Sequence, residues 1–209
     1  MIYVFDLDGT LIDSMGSFAK GILKPADDAG ISYDENLVKI LTPLGYTKSA
    51  EYYVNKLGLS RPVSEIVKSI EDTLYIEYSE NILTKAGVPE YLRTLHEKGA
   101  RLFVLTASPH MMTDVCLKRH GLFNLFEKVW SVDDFGLSKS GTELFFKVAD
   151  EIGCAPSEIH YFDDSLIALK NAKRAGYKTY AVYDSQNEEE KKIMKEEHSV
   201  YVGSFTELL

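Results

Sequence analysis

From about residue 88 onward the chain alternates short apolar runs with amphipathic stretches, and a glycine follows each helical stretch. The spacing predicts helix 88–98 before Gly99, strand 101–106, helix 110–120 before Gly121 and strand 128–131. It continues with helix 142–152 before Gly153, strand 159–162, helix 165–175 before Gly176 and strand 178–183. Glycine is the residue that takes the left-handed conformation closing a helix. Strand, helix, strand repetition of this length implies right-handed crossovers, and therefore a parallel sheet with helices on both faces. Residues 14–79 break the alternation. They carry helix signals only, at roughly 14–29, 34–42, 47–57 and 62–78, punctuated by Gly30, Pro43, Gly45, Gly58 and Pro62. An inserted, all-helical unit is expected there, between a first apolar run at residues 2–5 and the rest of an α/β core.

The apolar runs end in chemistry. Ile2, Tyr3, Val4 and Phe5 lead into Asp6, Leu7 and Asp8, then Gly9 and Thr10. In extended chain, positions i and i+2 project to one side, so Asp6 and Asp8 would face one reacting centre. In open parallel sheets the carboxyl ends of the strands are where ligands bind. Taken alone, Asp8 and Gly9 also read as an ordinary turn. Two further runs behave alike: one ends at Thr106, followed by Ala107 and Ser108, and one ends at Phe162, followed by Asp163, Asp164 and Ser165. Between them, Lys139 stands in a polar stretch before the helical pattern of Leu144, Phe145, Val148, Ala149 and Ile152.

These four segments, in this order, resemble the signatures of the haloacid dehalogenase-like hydrolases. The resemblance spans nearly the whole chain. It implies a Rossmann-like three-layer core with a mainly parallel sheet, formed by residues 1–13 and 80–209, and a helical cap at residues 14–79. A cap between the first and second signatures is similar to the subgroup holding phosphoglycolate phosphatases and β-phosphoglucomutases. The implied activity is that of a phosphatase acting on a small phosphorylated metabolite through an aspartyl-phosphate, with Asp6 as nucleophile and Asp8 as acid and base. Dehalogenases proper lack the second acid, so Asp8 points away from carbon–halogen cleavage. The resemblance further implies that Thr106, Lys139 and nearby backbone N–H groups, Ala107 among them, hold the phosphoryl oxygens. It gives Mg²⁺ the ligands Asp6, the Asp8 backbone carbonyl and Asp164, with Asp163 direct or through water, and it leaves Thr10 bracing the loop. Ser140 follows Lys139 where relatives have proline, and Ala168 stands where many have glycine or an acid. Tyr46, Thr47 and Lys48, in the turn at residues 42–48, correspond to a cap loop that contacts substrate; a plain interhelical turn is the alternative.

Charge supports a cation. Asp6, Asp8, Asp163 and Asp164 gathered in one cleft carry a formal charge of −4, which is costly without compensation. Mg²⁺ and Lys139 supply three positive charges, and a proton on Asp8 cancels the remainder. The formal charge of −9 for the whole chain argues against nucleic-acid binding, which needs a basic footprint. No segment approaches the roughly 18 consecutive apolar residues of a membrane span, and the first residues read as a strand and not as a leader, so a cytoplasmic location is the expectation. Cys116 and Cys154 read as two buried thiols, Trp130 as packing and His110 as a surface residue at a helix start. The charged run at residues 188–197 reads as a solvated helix with ion pairs along its length. Two rival activities remain: a β-phosphoglucomutase-like phosphotransferase using the same aspartates, and a catalytically idle relative that binds a metabolite or partner.

Overall fold

The apolar run Ile2–Phe5 forms β1, paired on both sides at the centre of a sheet in the computed structural model of this chain. The structure describes residues 1–41, 44–185, 189–198 and 200–209. Strand β2 (Arg101–Thr106) lies on one side of β1 and β4 (Ile159–Asp163) on the other, both parallel to it. β3 (Lys128–Ser131) extends the sheet beyond β2, and β5 (Lys178–Val182) and β6 (Val200–Val202) extend it beyond β4, giving the order β3-β2-β1-β4-β5-β6 with every pairing parallel. Helices fill the crossovers, so the α/β expectation holds for this sheet.

Side-chain alternation sorts the sheet into two faces. Val4, Leu105, Trp130 and Tyr161 pack against α7 (Glu143–Ile152), α8 (Leu166–Arg174) and α9 (Lys191–Glu197) through Leu144, Phe145, Val148, Leu169, Ala172 and Met194. On the opposite face Phe5 and Phe162 lie 4.9 Å apart, Phe162 stacks on Tyr180 at 4.3 Å, and Tyr91 of α5 (Val88–Glu97) covers them together with Phe205. Trp130 stacks on Phe103 at 5.4 Å, which is the packing role its sequence context suggests. Cys116 is buried on α6 (His110–Arg119), Cys154 is half-buried, and both are free thiols.

The chain divides into two compact units, Met1–Asp13 with Leu83–Leu209, and Ser14–Ile82. The second contains α1 (Met15–Ala29), α2 (Glu35–Leu41), α3 (Gly45–Asn55) and α4 (Val63–Ile76), and a π-helical turn, Glu77–Asn81, that prolongs α4. That prolongation carries the boundary past residue 79. Ile22, Ala26, Tyr53, Ile66, Ile70 and Leu74 form its buried interior, and the Tyr53 hydroxyl donates to the Ile22 carbonyl at 2.9 Å. Gly21 lets α1 approach α4 closely, since a Cβ there would sit 2.5 Å from Leu74 Cγ.

Three local expectations change. Helix α3 begins at Gly45, so Tyr46, Thr47 and Lys48 occupy a first helical turn and not a loop; Thr42 and Pro43 lie outside the described residues. Strand β6 has too few residues to give a period and was not expected. The charged helix α9 is solvated but buries Met194 fully, and three of its charges reach neighbouring elements: Lys191 lies 5.0 Å over Tyr183, Lys195 5.0 Å over Tyr201, and Glu197 pairs with Lys170 at 3.4 Å. Aromatic faces and a cation on α8 compete there with pairing along the helix, and Glu188 lies outside the described residues.

Candidate active site

Because β1, β2 and β4 run parallel, Asp6, Thr106 and Asp163 emerge at one edge of the sheet. Asp6 follows Val4 by two and Asp163 follows Tyr161 by two, so both carboxylates stand on the face covered by α7. The Asp6 N–H donates to the Phe162 carbonyl at 2.8 Å, continuing the β1–β4 ladder into the site. The loop preceding α7 delivers Lys139, whose Nζ donates to Asp6 Oδ1 and, at 2.9 Å, to Asp163 Oδ2. Asn171 on α8 braces that loop, its Nδ2 donating to the Lys139 carbonyl at 3.2 Å. The side chains of Lys139, Asp6 and Asp163 are only 13%, 8% and 1% exposed, so this triad of charges is a buried one.

The turn after β1 is closed by the Leu7 carbonyl, which accepts from the N–H groups of Leu11 and Ile12 at 2.8 and 3.0 Å. Gly9 sits at φ +74°, and a Cβ there would come within 2.4 Å of Asp164 Oδ2. Only glycine meets both demands. Thr10, fully buried, donates to Asp164 Oδ1 at 3.3 Å, so it braces Asp164 as well as the turn. Asp8 is held from the β2 side: its Oδ2 accepts from Ser108 Oγ at 2.6 Å and from Thr106 Oγ1 at 3.4 Å. The Ser108 N–H in turn donates to Thr106 Oγ1 at 3.0 Å. Asp6, Asp8, Thr106, Ala107, Lys139, Asp163 and Asp164 line a common cavity of about 340 Å³ with Val132 and Ile167 in its wall.

Electrostatics here are dominated by burial. Loss of hydration, reinforced by the Asp163 and Asp8 carboxylates and opposed by Lys139, pushes the Asp6 carboxyl up to about 7. Burial, then the Asp163 and Asp6 charges, push the Asp164 carboxyl well above the usual range. Burial works against the Lys139 ammonium, yet the Asp163 and Asp6 carboxylates hold it protonated beyond an ordinary lysine. One lysine therefore does not neutralise the cluster. Asp6, Asp163 and Asp164 each offer a carboxylate oxygen, and these atoms lie within 4.8 Å of one another. A set of hard oxygen donors with excess negative charge is chemically fitted to a divalent cation such as Mg²⁺.

The remaining candidates belong to other elements. Tyr46, half-buried, has its ring 6.0 Å from that of Phe18, and Lys48 is exposed; both belong to the helical unit. His110 is about half exposed and lies 2.9 Å from both Asp134 oxygens, as a surface residue at the start of α6. Helix α8 is capped by Ser165, whose Oγ accepts from the Ala168 N–H at 3.4 Å, so Asp163 and Asp164 are released from capping that helix themselves. Sequence reading did not single out Ser108, Tyr161 or Asn171 as partners of the aspartates and Lys139. Ser108 carried a signal, a hydroxyl two residues beyond Thr106; Asn171 carried none, because its contact depends on how α8 packs.

The sequence profile of the haloacid dehalogenase-like hydrolases matches residues 3–182. The chain belongs to this family of hydrolases. It is 23% identical over 186 residues to a phosphorylated carbohydrates phosphatase of Thermotoga maritima, covering 88% of this chain and 86% of that protein. Among solved structures it resembles a Thermotoga maritima protein described in provisional terms as a β-phosphoglucomutase, with a TM-score of 0.83, 22% identity and coverage of 96% and 93% of the two chains. It also resembles Bacillus subtilis YfnB in a magnesium-bound form, with a TM-score of 0.81, 18% identity and coverage of 99% and 96%. Among the described residues no helix is long and apolar enough to cross a membrane.

Proposed function

We propose that this protein is a Mg²⁺-dependent phosphatase that hydrolyses a small phosphorylated metabolite through an aspartyl-phosphate on Asp6. The observation that carries the reading is the buried triad, in which the Lys139 ammonium bonds both Asp6 and Asp163 at the edge of the 340 Å³ cavity. Asp6 attacks phosphorus and the ester oxygen leaves; Asp8 gives that oxygen a proton and then takes one from the water that hydrolyses the acyl phosphate. The Ser108 and Thr106 hydroxyls fix Asp8 for this double duty. Lys139, the Thr106 hydroxyl and the Ala107 N–H receive the phosphoryl oxygens, whose charge grows in the transition state. Asp6, Asp164 and the Asp8 carbonyl, with Asp163 directly or through water, would hold Mg²⁺, which when bound offsets the carboxylates and polarises a phosphoryl oxygen. The magnesium-bound form of YfnB supports that choice of ion. We assign the choice of substrate to Tyr46 and Lys48 of the helical unit.

Phosphate release from a panel of phosphorylated sugars, acids and nucleotides, with and without Mg²⁺, tests the reading; no release from any of them leaves a metabolite-binding relative instead. The likeness to a structure described as a β-phosphoglucomutase favours one alternative, transfer to a second hydroxyl with water kept out. Incubation with a hexose 1-phosphate separates the two: isomerised sugar phosphate marks a mutase, free phosphate a hydrolase.

A further inference from the structure

Tyr161 places a hydroxyl at the buried end of the triad. Its ring is fully buried between Phe145, 5.3 Å away and edge-on, and Tyr177, 6.2 Å away, and lies 5.8 Å from Lys139 Nζ. Its hydroxyl donates to Asp163 Oδ2, the oxygen that also receives Lys139, while Asp163 Oδ1 accepts from the Ser165 N–H at 2.7 Å. Asp163 thus accepts from three donors, and both of its oxygens are engaged. Asp164, one residue later, accepts from Thr10 Oγ1 at 3.3 Å and lies against Gly9.

We propose that Tyr161 is a positioning residue: its hydroxyl ties Asp163 down as the counter-ion of Lys139 and withholds it from direct coordination of the cation. The inference rests on the phosphatase reading and deepens it. Without the hydroxyl, the negative charge of Asp163 is offset by one donor fewer. It draws the Lys139 ammonium away from the phosphoryl group, and it adds to the field felt by a cation. The first effect lowers kcat with little change in KM, because Lys139 bonds the phosphoryl oxygens most strongly in the transition state. The second tightens Mg²⁺ binding, the reverse of what a loosened site would do.

Tyr161→Phe keeps the ring and removes the hydroxyl. Tyr177→Phe is the matched control, since Tyr177 is an equally apolar neighbour in the same ring cluster whose hydroxyl donates to the Phe145 carbonyl at 2.6 Å, away from the aspartates. Both variants lose a buried hydrogen bond and should melt at similar temperatures. Tyr161→Phe alone should lose about tenfold in kcat, the range of a hydrogen bond to a charged group, and bind Mg²⁺ a few-fold more tightly by calorimetric titration. Equal kcat in the two variants, or Mg²⁺ affinity in Tyr161→Phe unchanged or weakened, overturns the proposal. Wild-type protein that releases no phosphate refutes the phosphatase reading instead, and the Mg²⁺ titration still decides the role of Tyr161.

Discussion

A carboxylate that attacks phosphorus must be ionised, aimed and relieved of the repulsion between two anions, and burial alone works against the first condition at Asp6. Its carboxyl is pushed up to about 7 by desolvation and by the Asp163 and Asp8 carboxylates, against the pull of Lys139. Asp6→Asn keeps the shape and removes the carboxylate proposed as nucleophile, so kcat should fall more than a hundredfold, at least about 2.7 kcal/mol in barrier, while circular dichroism and melting stay near wild type. A smaller loss would move the nucleophile elsewhere. Gly9→Ala tests the aim of Asp164, because the new methyl meets Asp164 Oδ2 at 2.4 Å and the residue must hold φ +74°. A cost of about 1–2 kcal/mol in stability is expected from the backbone, together with a raised Mg²⁺ requirement from the displaced carboxylate; an unchanged requirement would dissociate Asp164 from the ion. Asp6, Asp8, Thr106 and Lys139 were legible in the sequence because each sits at the end of an apolar run or just before a helix. Ser108 carried only the signal of a hydroxyl two residues beyond Thr106, and Tyr161 and Asn171 carried none, since a phenol in an apolar strand or an amide on a helix becomes a site residue only once the packing around it is known.

At the scale of elements, the sheet was readable from strand spacing and helix-closing glycines, and the exceptions have physical causes. Strand β6 spans three residues, too few for a period to register, and α3 starts earlier than its apolar pattern because Gly45 and Tyr46 can join the first turn without burying a stripe. The second shift bears on function. As part of a helix, Tyr46 and Lys48 stand two positions apart and project to different sides of it, so their roles can be tested separately. If they choose the substrate, Tyr46→Ala and Lys48→Ala should each change the ranking of kcat/KM among phosphorylated metabolites. A small ester such as p-nitrophenyl phosphate, which offers little beyond the phosphoryl group, should be hydrolysed within about twofold of wild type. Equal losses on every substrate would place these residues in folding, and no loss on any would remove them from recognition.

For the molecule as a whole the decisive quantity is the balance of charge. The chain carries a formal −9, and its core unit concentrates Asp6, Asp8, Asp163 and Asp164 around one lysine in a single cavity. Folding must bring these carboxylates together, so a cation that binds the folded site and not the unfolded chain stabilises by mass action. At about a hundred times its dissociation constant, Mg²⁺ contributes roughly 2.7 kcal/mol, and for a chain of this length that corresponds to a rise in Tm of about 5–10 °C. Sodium chloride at equal ionic strength separates site binding from general screening, since screening acts on exposed charges and reaches buried ones weakly. The rise should appear with Mg²⁺, be much smaller with sodium chloride, reverse on chelation and largely vanish in Asp164→Ala, which deletes one of the three clustered donors. A Tm that responds equally to both salts would mean that the acidic cluster gathers no specific ion in the free protein. The two positive charges that Lys139 does not supply would then have to arrive with the substrate.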